Sequence, residues 1–172
     1  MPVIFHAVQK LLNTSRIQAV KYVSEPALGQ QLHSWYAKLL STGFPGKLLV
    51  MYVHEPSLLA VICRGKTVAG TWNEFQRRLP VLLQKVGFKE EQIRSEMSQM
   101  ESYVVAKTNS RSMISYMNQM APNLEWHDYP SYNDIILDEM EERMLLYLYD
   151  AHTKPQSYTS SLEYWHKALN QE

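Results

Sequence analysis

Two uninterrupted apolar runs, residues 48–53 and 58–63, constrain the fold of this chain more than any other feature of its sequence. A strand with one wet face alternates apolar and polar positions, whereas a run without alternation has to be covered on both sides. The residues between the runs, His54-Glu55-Pro56-Ser57, are turn chemistry of hairpin length. The spacing therefore predicts a central antiparallel hairpin under a cover of helices. Residues 3–8 read as an opening strand that Lys10-Leu11-Leu12 continues, the alternating residues 33–40 as a second, and residues 103–106 as a returning one.

The cover follows from helical periodicity. Thr71-Trp72-Asn73-Glu74 fits a capping box, and Trp72, Phe75, Leu79, Leu82, Leu83 and Val86 recur at helical spacing up to Gly87. Pro80 interrupts this pattern and predicts a kink or two shorter helices. Residues 89–100 and 110–120 read as further helices, the second with Met113, Met117 and Met120 on its apolar side. The expected fold class is α+β, an antiparallel sheet of about four to five strands packed against helices, with a C-terminal helical appendage. The expected division is a core over residues 1–127 and a helical extension over residues 128–172, packed on the core or on a partner subunit. In that extension Ile136, Met140, Met144 and Leu148 recur every four residues and mark the docking face.

Composition narrows the function classes. At 172 residues, 45% hydrophobic and 20% charged, the chain has the size and balance of one globular domain. No apolar stretch has the length of a membrane span and the N-terminus has no secretory pattern, so a cytoplasmic location and no membrane partner are expected. The single Cys63 excludes an intrachain disulfide and zinc motifs built on cysteine pairs. The net charge of zero hides an asymmetry: residues 1–100 carry 12 Lys/Arg against 6 Asp/Glu, and residues 101–172 carry 5 against 11. Two attracting faces explain this more simply than a nucleic-acid surface, which would carry a strongly basic balance overall.

No catalytic residue, metal site or cofactor follows from the motifs. The six histidines stand in no ligand spacing, although strands could bring His6, His33 and His54 together. Asp134 and Asp138, one helical turn apart, read as a solvated helix face. Cys63 lies in an apolar run without a base beside it, and no phosphate-cradling glycine loop or nucleophile elbow occurs. The nine methionines and eleven tyrosines fall mostly on core stripes, while Trp126-His127-Asp128-Tyr129, with Tyr132 close behind, is an aromatic cluster suited to a functional surface.

Several segments together resemble a known family. These are the opening strand running into Gln9-Lys10-Leu11-Leu12, the Ser34-Trp35-Tyr36-Ala37 segment, the apolar hairpin, and Lys107-Thr108-Asn109-Ser110-Arg111 leading to Met117-Asn118. They resemble a family of small uncharacterised bacterial proteins grouped as a domain of unknown function, over about residues 3–127. Where that family carries cysteine or threonine in the opening strand, this chain has His6 and Ala7. The resemblance implies an α+β layout and a bacterial cytosolic setting, and no reaction.

Three functions are then ordered. A non-enzymatic interaction or regulatory module, working as a homo-oligomer or with a protein partner, comes first. A nucleic-acid or phosphate-ligand binding protein is the alternative, and an enzyme of unrecognised type comes third. The most specific expectation is an anion-binding corner at Lys107, Thr108, Asn109, Ser110 and Arg111, where a strand runs into a helix N-terminus rich in capping residues. The competing reading is that one of these residues caps the helix and Arg111 pairs with a carboxylate from the acidic half.

Overall fold

The computed structural model describes residues 2–23, 25–26, 29–123, 128–152 and 155–170. Along the chain these form β1 (Val3–Ala7), α1 (Gln9–Ser15), β2 (Ser34–Ser41), β3 (Leu48–His54) and β4 (Ala60–Arg64). Then follow α2 (Val68–Lys85), α3 (Glu90–Ser98), β5 (Tyr103–Lys107), α4 (Arg111–Met120) and α5 (Leu137–Leu145). A short ribbon, β6 (Tyr149–Asp150) and β7 (Tyr158–Thr159), precedes α6 (Ser161–Leu169).

The five main strands lie in the order β4-β3-β2-β1-β5. β2, β3 and β4 are antiparallel neighbours, as the two apolar runs require, but β1 runs parallel to both β2 and β5. The sheet is α+β in character and mixed, not purely antiparallel. The reason is that residues 9–15 are a helix where the sequence reads as a continuation of the first strand. A chain that crosses one face through a helix re-enters the sheet in its original direction, so β1 and β2 run parallel.

Both faces are covered, which explains the lack of alternation in β3 and β4. On one face Phe5, Trp35, Tyr52 and Phe75 meet at ring-centroid distances of 4.6 to 5.2 Å, and Leu11, Leu79, Leu83 and Trp165 close around them. On the other face Tyr36, Met51, Val53 and Ile62 pack under Met113, Met117, Met140 and Met144. Each such large apolar side chain contributes about 1.5–3 kcal/mol by leaving water.

α2 starts earlier than the capping pattern predicts. Its cap is Thr67, whose hydroxyl accepts from the Gly70 N–H, and Thr71 is buried within the helix at 2.6 Å from the Tyr52 hydroxyl. Glu74 is drawn away from the helix end, because its Oε2 accepts the Arg64 N–H of β4 at 2.9 Å. Pro80 lies inside an undivided helix, flanked by the buried Leu79, Leu82 and Leu83 that hold it on the sheet.

Both sheet edges are capped. β4 has its Ile62 N–H bonded to Glu141 Oε2 at 3.0 Å and its Arg64 N–H to Glu74. β5 is covered by the segment after α1, where the Val20 N–H donates to Val105 O at 2.9 Å. Unpaired edge groups invite association, and these contacts remove the invitation. The charge asymmetry is resolved within one chain: Arg78 of the basic half grips Glu141 and Asp138 of the acidic half, and Lys85 pairs with Glu142. No helix among the described residues is long and apolar enough to cross a membrane.

Candidate functional site

β1 and β5 lie side by side and parallel, yet their chains leave the sheet toward opposite faces. From β1 the chain enters α1, whose Leu11 and Leu12 pack with Phe5 and Trp35; from β5 it enters α4, whose Met113 and Met117 pack with Tyr36. Where neighbouring parallel strands diverge in this way a crevice opens at their carboxyl ends, and such crevices are the usual ligand sites of sheets with helices on both sides. Here the crevice has a volume of about 430 Å³, within the range of small-ligand pockets. Its floor is His6, Ala106, Lys107, Thr108 and Asn109, and its outer wall is Gln18 to Lys21 and Val23, the segment tied to β5 through Val20.

The side chains around the crevice are held by named contacts. His6 is buried, its ring stacked on Tyr36 at 4.7 Å, and its Nδ1 lies 3.1 Å from the Lys107 carbonyl. A carbonyl only accepts, so Nδ1 carries the proton and Nε2 is the ring nitrogen left for a ligand. The Tyr36 hydroxyl donates to Asn109 Oδ1, fixing the turn between β5 and α4. Burial pushes the Tyr36 hydroxyl above its ordinary pKa, with the Glu55 charge adding to the rise. Lys21 and Lys107 line the crevice and no carboxylate does, so among the described residues its field is positive. Nearby on β2, Lys38 donates to Asn118 Oδ1 at 2.5 Å, and burial followed by the charge of Lys10 lowers its pKa.

The corner read from the sequence is divided by the structure. Lys107, Thr108 and Asn109 line the crevice, while Ser110 and Arg111 do not. Ser110 is the cap of α4, its hydroxyl accepting the Met113 N–H at 3.2 Å, and Arg111 is exposed at the helix start with no ion pair among the described residues. Lys21 and the outer wall are what sequence reasoning missed, and His6, read from the sequence only as one of three strand histidines, stands beside Lys107 instead. Lys21 lies in a stretch with no periodicity, and only the pairing of Val20 with β5 brings it to Lys107.

The other sequence candidates are structural. His54 is fully buried, Nδ1 at 2.7 Å from Ser57 Oγ and Nε2 at 2.8 Å from Gln31 O. Cys63 is buried, and burial raises its thiol pKa well above the ordinary value. Asp138 pairs with Arg78, Asp134 accepts from Ser131, and among the described residues no group of three His, Cys, Asp or Glu side chains could hold a metal. In the aromatic cluster, Trp126 and His127 lie outside the described residues, and Tyr132 donates to Leu48 O beside the Arg64 guanidinium. On the expected docking face Met140 and Met144 are buried, whereas Ile136, at the helix cap, and Leu148, beyond its end, are exposed.

A family model described as Domain of unknown function (DUF6933) matches residues 4–164, reaching past residue 127 through α5 and into α6. No curated protein and no solved structure matches the chain.

Proposed function

Since the chain belongs to the family Domain of unknown function (DUF6933), whose description assigns no chemistry, we propose from its own geometry that it is a non-enzymatic binding or regulatory module for a small phosphate-bearing anion. The observation that carries this reading is the crevice at the carboxyl ends of β1 and β5, lined by Lys21, Lys107 and His6 and by no carboxylate. The lysines supply charge, and the Thr108 hydroxyl and the Asn109 amide N–H are polar partners for phosphate oxygens. A reducing bacterial cytosol is the setting this reading assumes, in keeping with one buried thiol.

The nucleic-acid alternative draws less support. The basic residues of α2 would have to form an open stripe, but Arg78 is largely buried against Glu141 and Asp138, and Lys85 is paired with Glu142. A pocket with two lysines suits one or two phosphates better than a polymer.

Isothermal titration of the full chain with inorganic phosphate and with a nucleoside monophosphate tests the reading. Saturable binding is expected, weakened by added salt and weakened about tenfold by Lys107→Ala, as for the loss of one charge-assisted hydrogen bond. No saturable heat with either ligand, equal affinity of the Lys107→Ala protein, or far tighter binding of a DNA or RNA oligonucleotide would overturn it.

A further inference from the structure

On the far side of the Tyr36–Asn109 contact lies a second cleft, between α4 and the β6–β7 ribbon, of about 430 Å³. Its character is opposite to that of the crevice. Glu55, from the turn between β3 and β4, lines it together with Met113, Tyr116, Tyr149, Asp150 and Tyr164. The Glu55 side chain is half-buried and makes no hydrogen bond or ion pair among the described residues, and the Tyr164 hydroxyl likewise has no partner among them. A carboxylate without an internal partner on a cleft wall is open to water or to a cation that enters the cleft.

We infer that this cleft is a second binding site, taking a small organic ammonium ion whose charge meets the Glu55 carboxylate and whose carbon skeleton lies against the rings of Tyr116, Tyr149 and Tyr164. Tyrosine faces attract cations, and the attraction grows when the site is partly desolvated. Two of the rings are set in advance. Tyr149 donates to Ser57 O at 3.2 Å; the Tyr116 hydroxyl contacts His152 Nε2 and donates to Asp150 O at 3.2 Å; and the two rings meet edge to face at 5.8 Å. Asp150 adds a second negative charge to the wall, although its own oxygens already accept from the His152 N–H and the Gln156 amide.

The start of α4 also faces this cleft through Ser110 and Ser112, and its partial positive charge opposes a cation. No N–H of the helix is bonded to Glu55 among the described residues. A full carboxylate charge at the ligand outweighs a fractional helix charge. Beyond the cleft the charge of Glu55 also acts on Tyr36, adding to the rise caused by burial, and on His33, where it opposes the lowering caused by burial.

The test is titration of the full chain with n-butylammonium chloride, followed by NMR on the tyrosine ring signals, with n-butanol as the neutral isostere. Saturable shifts confined to Tyr116, Tyr149 and Tyr164 are expected, with affinity about tenfold weaker for n-butanol and about tenfold weaker for the Glu55→Gln protein. Equal binding of n-butanol, unchanged affinity in Glu55→Gln, or no saturable shift at these rings would overturn the inference. The n-butanol comparison uses the unaltered chain, so it decides the matter even if the substitution disturbs folding. Phosphate binding in the crevice is expected to persist in Glu55→Gln, which separates failure of this site from failure of the first.

Discussion

His54 shows how a single residue ties stability to pH. It sits at the end of β3 against Trp35 and Trp165, ring centroids 5.2 and 5.6 Å away, with both nitrogens bonded inside the protein. The Gln31 carbonyl accepts from Nε2, so the neutral ring takes its second bond at Nδ1 from the Ser57 hydroxyl, whose oxygen also accepts the Leu59 N–H. Burial therefore drives its pKa from 6.5 down to about 3. A depressed histidine binds its proton more readily in the unfolded chain. Its contribution is complete above pH 6.5 and is lost as the pH falls from there toward 3. Unfolding free energy in urea is expected to drop by about 1.4 kcal/mol per pH unit below that point, relative to a His54→Asn protein. Burial also lowers the pKa of His33, in the same direction, while Glu96 is raised by burial and acts in the opposite sense, so the difference between the two proteins is the quantity to measure. Parallel pH profiles for both proteins would refute the assignment. The sequence showed His54 only as a turn residue beside a possible histidine group, because burial at a strand end depends on what α6 brings over it.

At the scale of elements, the edge of β4 depends on two carboxylates from different helices. Glu141 of α5 is nearly inaccessible, and its Oε2 accepts from the Ile62 N–H at 3.0 Å and from Arg78 Nε at 3.1 Å. Burial raises the Glu141 pKa against the pull of Arg78; burial lowers that of Arg78, but its bonds to Glu141 and Asp138 outweigh this and carry it upward. Removing one partner leaves a buried charge and an open strand edge. Glu141→Ala is expected to cost about 3–5 kcal/mol in chemical denaturation and to promote association, seen by light scattering. The double change Arg78→Met with Glu141→Leu is expected to cost less than the sum of the single changes, since it leaves no unpaired charge. A cost below about 1 kcal/mol for Glu141→Ala would place the pair among ordinary surface bridges. The elements themselves were largely legible: β3, β4, β5 and α4 fall where period and punctuation put them. α1 was not, because Gln9 to Ser15 continues an apolar strand without a capping side chain, and its N-cap Val8 makes no side-chain bond.

For the whole molecule, the C-terminal segment belongs to both cores. Met140, Met144 and Tyr149 fill the α4 face, and Leu145 and Trp165 fill the α2 face. A chain ending after Pro130 would uncover both faces and strip Arg78 and Lys85 of their partners. Loss of cooperative unfolding and growth of aggregates by light scattering are expected, and a soluble fragment of unchanged stability and mass would contradict this account. What the sequence by itself determined is the part carried by local and periodic physics: unbroken apolar runs demand two covered faces, and one of Thr108, Asn109 and Ser110 has to cap the helix that follows, which in the structure is Ser110. Strand direction, the crevice between β1 and β5, and the meeting of Glu55 with Tyr116, Tyr149 and Tyr164 were decided only by the tertiary structure. A pattern of periods states which face of an element is apolar. It carries no information on where a crossover returns the chain, and both clefts are made by residues that such crossovers bring together from distant parts of it.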